Sequence, residues 1–259
     1  MNLDFLSVPL PAPGEPPDAT TPIARSPMER SAAHEGARFE LRVGWNVAAG
    51  YDAGRQRELE AATDTAAWAD CSHLRKLELQ APAPQLSAIV AACTDGAELE
   101  LGTAIRAGAA WWCPLTRTRA LVVGEPAPVA SLRERLGQAV ASAPGGGVVE
   151  VTTTFAALTL TGLLAGEVLA RFSALDLRPR LTPVGALRPG SIARQPAILV
   201  CESENRYLFM FGWATAEYIW SVVSDAGHHL GGRPIGADAL AALPMAGDRL
   251  EPAPGASRA

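Results

Sequence analysis

Asp70-Cys71-Ser72 followed by Leu77-Glu78-Leu79-Gln80-Ala81 has an echo further along the chain, Glu150-Val151-Thr152 followed by Leu158-Thr159-Leu160-Thr161-Gly162. Each copy sets an acid, then a hydroxyl two residues later, then an alternating apolar and polar run that ends on a small residue. Alternation with period two predicts a strand. A helical pattern follows each copy, Pro84 to Cys93 in the first and Leu164 to Phe172 in the second. The echo then continues. Arg119-Ala120-Leu121-Val122-Val123 precedes an amphipathic helix at Val129 to Val140, and Arg206-Tyr207-Leu208-Phe209-Met210-Phe211 precedes one at Thr215 to Asp225. Strand, helix, strand, helix in the same order twice predicts an α+β fold. It is read as a pseudo-symmetric pair of strand–helix–strand units, repeats at about 66–140 and 147–230.

Outward from these units the signals are local. Ser26-Pro27-Met28-Glu29 has the spacing of an N-cap, a proline at the first helical position and a capping-box glutamate, so a short helix is expected to about His34. Phe39-Glu40-Leu41-Arg42-Val43 alternates and predicts a strand, and Gly54 to Ala69 predicts a helix. Ala143-Pro144-Gly145-Gly146-Gly147 predicts a turn, since the spacing of a phosphate-binding loop is absent. Residues 1–25 hold Pro9, Pro11, Pro13, Pro16, Pro17 and Pro22, which deny them helix and central strand, so a disordered arm is expected there. A folded domain over 26–242 and a second disordered tail over 243–259 complete the expected organisation.

Composition narrows the class. Of 259 residues 48 % are hydrophobic, enough for a sizeable core, while 19 % are charged, which leaves room for a covering partner. The net charge is −5 and no Lys/Arg run occurs, so nucleic acid is not an expected partner. No apolar stretch is long enough to cross a membrane, and the N-terminus lacks the basic and apolar regions of a secretory signal. Cys71, Cys93, Cys113 and Cys201 are scattered without metal-ligand spacing, and His228-His229 would project in different directions. No metal is expected, and the isolated thiols fit the reducing cytoplasm.

Further residues resemble a known family. Ser26-Pro27, then His34-Glu35-Gly36-Ala37-Arg38-Phe39, then Gly44-Trp45-Asn46-Val47 and Tyr51 resemble the opening of the glycine-cleavage T-protein (aminomethyltransferase) family. Asp70-Cys71-Ser72-His73-Leu74-Arg75-Lys76 resembles its Asp-x-Ser-His-x-x-Lys motif. Gly162 with Val168-Leu169 resembles a later strand–helix junction, and Tyr218-Ile219-Trp220, Ala226-Gly227 and Gly232-Arg233-Pro234-Ile235-Gly236 resemble its closing segment. The resemblance spans roughly residues 25–242 and implies the family's folate-binding-type domain, without its C-terminal barrel.

Departures from the family direct the functional reading. Where the family sets an acidic pair whose carboxylate handles the proton on the folate amine, this chain has Ala107-Gly108-Ala109-Ala110-Trp111-Trp112-Cys113-Pro114, with no carboxylate for acid–base work. Where family glutamates reach folate, it has Val200-Cys201-Glu202-Ser203-Glu204-Asn205-Arg206-Tyr207. No catalytic residue is therefore expected. Trp111, Trp112, Glu202 and Glu204 are the candidate lining of a vestigial folate pocket. For the tryptophans, packing and partner contact remain open beside ligand stacking. Asp70, Ser72, Glu150 and Thr152 are expected to bond turn backbone. The pattern most resembles the gamma subunits of heterotetrameric sarcosine oxidases. That resemblance implies a structural subunit partnered by alpha, beta and delta-type subunits, with FAD, FMN and NAD on those partners. It also implies no cofactor on this chain beyond room for tetrahydrofolate. A stand-alone tetrahydrofolate-dependent aminomethyltransferase-like or folate-binding protein is the alternative.

Overall fold

A computed structural model describes residues 22–244. The chain opens with β1 (Ala24–Arg25), α1 (Glu29–His34), β2 (Ala37–Arg42), β3 (Trp45–Tyr51) and α2 (Arg55–Asp64). A first unit follows: β4 (Ala67–Asp70), β5 (Arg75–Gln80), α3 (Ala83–Cys93), β6 (Ile105–Ala107), β7 (Ala110–Thr116), β8 (Arg119–Gly124) and α4 (Pro126–Ala141). A second comprises β9 (Gly147–Glu150), β10 (Phe155–Thr161), α5 (Ala165–Ala170), β11 (Leu187–Ile192), β12 (Gln195–Ser203), β13 (Arg206–Gly212) and α6 (Ala216–His228). The described part closes with β14 (Arg233–Pro234) and α7 (Ala237–Ala241). The fold is α+β, as expected.

The strands form three sheets, ordered β1-β3-β2, β6-β7-β8-β5-β9 and β11-β12-β13-β10-β4-β14. Strand β4 pairs antiparallel with β10, while β9 pairs antiparallel with β5. The turn after each of these strands ties the pairing down. Cys71 donates its amide to the Ala157 carbonyl, and Val151 donates its own to the Lys76 carbonyl, both at 2.9 Å. In return the Ala157 amide reaches Ser72 Oγ at 3.3 Å and the Lys76 amide reaches Thr152 Oγ1 at 3.1 Å. Asp70 and Glu150 hold these turns, Asp70 by accepting the Ser72 amide at 2.9 Å and Glu150 by accepting the Thr152 hydroxyl at 3.0 Å. Asp70 bonds turn backbone as expected, whereas Ser72 and Thr152 bond the backbone of the paired strands β10 and β5, and Glu150 bonds the side chains of Thr152 and Arg75.

Both large sheets are buried on both faces. The six-stranded sheet packs one face on α1, α5 and α6 through Leu158, Leu160, Phe209, Phe211, Ile219 and Trp220. The five-stranded sheet packs its outer face on α3 and α4 through Leu77, Leu79, Trp112, Val122, Leu132 and Leu136. Between the sheets lies a third cluster with Ala157, Leu208 and Met210 from one side and Trp111, Cys113, Leu121 and Val123 from the other. Period-two alternation along β7, β8, β10 and β13 produces this layering.

Three local expectations are corrected. The helix predicted for Gly54 to Ala69 stops at Asp64, and Ala67–Asp70 is strand instead. Ala67 and Trp68 are fully buried, and β4 is hydrogen-bonded to β10 on one side and β14 on the other. Those pairings override alanine's preference for helix. Gly162 enforces the break: its φ is +113°, and a Cβ there would stand 2.5 Å from the Thr65 carbonyl oxygen. The first helix begins at Glu29 with Met28 at its N-cap. Ser26 Oγ accepts the Met28 amide at 3.0 Å in a tight turn, and Glu29 pairs with Arg25 rather than closing a capping box. Folded structure also begins before Ser26, since Ala24–Arg25 pairs in parallel with β3. The expected arm up to residue 21 and the expected tail from 245 lie outside the described residues. No helix among the described residues is long and apolar enough to cross a membrane.

Candidate functional site

A cavity of about 270 Å³ sits between the two large sheets. Its walls come from both units: the turn after β4, the start of β7, the end of β8, and β10, β12 and β13, with α7 over one side. Buried Cys71, Trp111, Thr159, Glu202 and Arg206, with the less buried His73, Arg106 and Glu125, form its polar lining. Two of the four residues singled out in the sequence, Trp111 and Glu202, meet here. Trp111 Nε1 donates to Glu202 Oε1 at 3.0 Å, which links the two sheets across the cavity.

The placement of Glu202 follows from a bulge. Pairing of β12 with β13 runs in register as far as Cys201 opposite Tyr207, then shifts so that Ser203 faces Arg206. Bulged residues are re-aimed relative to the ladder, and Glu202 turns inward beside Arg206. Arg206 Nε donates to Glu202 Oε2 at 3.0 Å, with both side chains under a tenth exposed. Glu202 thus takes a donor on each oxygen. Arg206 Nη1 has no hydrogen-bond partner among the described residues. Arg206 was not anticipated, although it shares the face of Leu208 and Met210 in a period-two run and that alternation was legible.

The other two candidates lie elsewhere. Trp112 is fully buried on the opposite face of β7, in the layer under α3 and α4. Strand alternation does send the two tryptophans to opposite faces, but both faces are covered, so neither forms a surface platform for a partner. Glu204 is exposed in the turn between β12 and β13, away from the cavity.

The thiols and the imidazole here are poor catalysts near neutral pH, while burial raises the Glu125 carboxyl above its ordinary value against the pull of Arg42. Desolvation, with Glu202 and Asp70 nearby, pushes the Cys71 thiol up to about 12, against a hydrogen bond with Thr159. Desolvation pushes the Cys113 thiol higher still. Such thiols stay protonated and are weak nucleophiles. His73, at the cavity edge, is lowered to about 4 by desolvation and by the charges of Lys76 and Arg42, so it is a neutral imidazole. Lys76 is the single lysine of the chain and fully buried. Its Nζ donates to the Ser72 carbonyl at 2.9 Å and the Leu74 carbonyl at 2.8 Å, holding the turn that carries Cys71 and His73. Hairpin β6–β7, where an acidic pair was looked for, offers only Arg106, Ala109 and Trp111 to the cavity. No cluster of three or more metal-ligating side chains occurs among the described residues.

The chain matches no protein-family model and no curated protein. Solved structures do match. A chain of the heterotetrameric sarcosine oxidase from Corynebacterium sp. U-96, in complex with pyrrole 2-carboxylate, is 22 % identical. That match covers 81 % of this chain and 97 % of that one, with a TM-score of 0.62. The glycine cleavage system aminomethyltransferase T from Bartonella henselae is 18 % identical. Here the match covers 84 % of this chain and 60 % of that one, with a TM-score of 0.68. These likenesses show a fold, the T-protein-like folate-binding fold.

Proposed function

We propose that this chain, built on the T-protein folate-binding fold, is a non-catalytic structural subunit of a sarcosine-oxidase-like flavoenzyme complex. Such a complex demethylates sarcosine oxidatively and passes the one-carbon unit to tetrahydrofolate. One observation carries the reading: Glu202, the carboxylate among the buried cavity residues, is held by Trp111 and Arg206 at 3.0 Å each. Both of its oxygens are engaged inside the protein and the side chain is buried, which favours a structural role. The cavity's 270 Å³ is also just below the range of about 300–1,000 Å³ typical of small-molecule sites. In this reading FAD, FMN and NAD reside on alpha, beta and delta-type partner subunits in the cytoplasm, and none on this chain. The likeness to a chain of a heterotetrameric enzyme over 97 % of that chain's length supports a multi-subunit setting.

The same reading takes residues 26–242 as one domain built of an internal repeat. Strand orders β6-β7-β8-β5-β9 and β11-β12-β13-β10-β4 correspond position by position, which supports it. To test the subunit role, the tagged chain is recovered from its native cells and the eluate's absorption spectrum recorded. A flavin spectrum with larger co-purifying chains is expected; a colourless lone chain would refute it.

Arg206 Nη1 favours a second reading, a chain that binds tetrahydrofolate on its own. A buried guanidinium nitrogen left without an acceptor is a donor in search of a ligand. Calorimetric titration with tetrahydrofolate separates the two readings. Saturable binding lost in Arg206→Gln supports the second, and no heat dismisses it.

A further inference from the structure

On the far side of the six-stranded sheet a larger cavity, about 970 Å³, opens between α1, the end of β3, α6 and β14. Several of its charged groups are already engaged. Arg30 holds Glu217 through two hydrogen bonds, at 3.0 and 2.8 Å. Glu35 accepts from Trp220 Nε1 at 2.6 Å and from Ser224 Oγ at 2.8 Å, and faces His228 Nε2 at 3.4 Å.

Two buried lining groups are not engaged, and the exposed Asp225 and His34 of the same lining also make no side-chain hydrogen bond or ion pair among the described residues. Tyr51 is 2 % exposed, and its hydroxyl has no hydrogen-bond partner among the described residues. Burial, with the charges of Asp70, Glu35 and Glu58, raises its pKa well above the usual 10, so the phenol keeps its proton and offers a donor. Arg233 Nε is likewise buried without a partner. No side-chain hydrogen bond or ion pair involves the Arg233 guanidinium among the described residues. An unsatisfied buried polar group is destabilising, and folded proteins rarely keep two in one place without something to satisfy them.

Both groups are donors and one carries a fixed positive charge. Their complement is an acceptor-rich anion, for which arginine's fork geometry is suited. We infer that this cavity is a binding site for a small oxyanion ligand, whose carboxylate or phosphate group is received by Arg233 and the Tyr51 hydroxyl. The wall formed by Trp220, Ala53 and Pro234 accommodates the body of the ligand. The site lies outside the inter-sheet cavity and shares no lining residue with it.

Calorimetric titration of the full chain with inorganic phosphate and, separately, with pyruvate tests this. Saturable one-to-one binding of at least one probe is expected, and which probe binds tells phosphate from carboxylate recognition. Tyr51→Phe removes only the oxygen and leaves no orphan, so its melting temperature should hold or rise while affinity falls about tenfold. Arg233→Gln should abolish binding, and Arg106→Gln, at the other cavity, should leave it unchanged. If Arg233→Gln does not fold, Tyr51→Phe decides alone. Absence of saturable binding by either probe, or undiminished affinity in Tyr51→Phe, overturns the assignment.

Discussion

Trp111 and Glu202 sit on different sheets and meet at 3.0 Å, so one hydrogen bond joins the two halves of the inter-sheet core. Glu202 also neutralises Arg206 in a nearly dry setting. Removing one partner of a buried ion pair costs about 3–5 kcal/mol, because the other charge is left uncompensated. Glu202→Leu is expected to lose that much in urea unfolding. The double variant Glu202→Leu/Arg206→Leu should recover much of it, since two apolar side chains leave no stranded charge. A double variant no more stable than the single would show that the pair is not the source of the loss.

Lys76 makes stability depend on pH in the alkaline range. Desolvation lowers its folded value from 10.5 to about 7, even with Asp70 pulling the other way. Between those values the unfolded chain binds more protons, so stability rises with pH from about 7 to 10.5, by about 1.4 kcal/mol per unit at most. Denaturant titrations at pH 7, 7.5 and 8 should show the rise, before the buried thiols, raised above their ordinary 9, begin to oppose it, and Lys76→Met should flatten it. An unaltered slope in that variant would assign the dependence to another group.

His73 acts in the same direction at lower pH. Its folded value, about 4, lies below the ordinary 6.5, so the unfolded chain again binds more protons between the two. The stability due to the neutral, buried imidazole is lost as pH falls through that window. His73→Gln should soften acid unfolding there, as read from the fluorescence midpoint against pH.

Thiol chemistry should discriminate among the four cysteines. Cys71, Cys113 and Cys201 are buried while Cys93 is half-buried at the end of α3. Cys201 is pushed up to about 11 by desolvation and Glu202, and Cys71 to about 12. A disulfide reagent at pH 8 should therefore modify Cys93 first in the native protein and all four after unfolding. Fast labelling of Cys71 in the native state would contradict the closed inter-sheet packing.

Gly236 marks a close approach between α7 and β3. A Cβ there would lie 2.1 Å from the Ala49 carbonyl oxygen and 2.3 Å from the Gly50 nitrogen, both rigid backbone. Buried Glu58 locks the same contact, accepting the Gly236 amide at 2.7 Å and the Tyr51 amide at 2.8 Å. Gly236→Ala is expected to cost roughly 2–4 kcal/mol in thermal or chemical unfolding. A loss under about half a kcal/mol would mean that the segment moves aside freely.

Local pattern alone determined the strands at Leu77–Gln80, Ala120–Val123 and Arg206–Phe211 and the helices after them, because period-two and period-3.6 burial depend on residues adjacent in sequence. The turn role of Asp70 was legible for the same reason, a short polar side chain bonding nearby backbone, while Ser72 and Thr152 found backbone partners far away in sequence. Tertiary structure decided the rest. Ala67–Asp70 is strand because β10 and β14 flank it, and no property of Ala-Trp-Ala-Asp announces those partners. The choice of Glu202 over Glu204 depended on a bulge in the β12–β13 ladder, and the burial of both tryptophans on the second face of β7 being covered. Arg206, Tyr51 and Arg233 acquired their meaning only from what does or does not stand beside them. Hydrogen-bond partners and desolvation come from segments distant in sequence, and those are assembled only when the sheets close on one another.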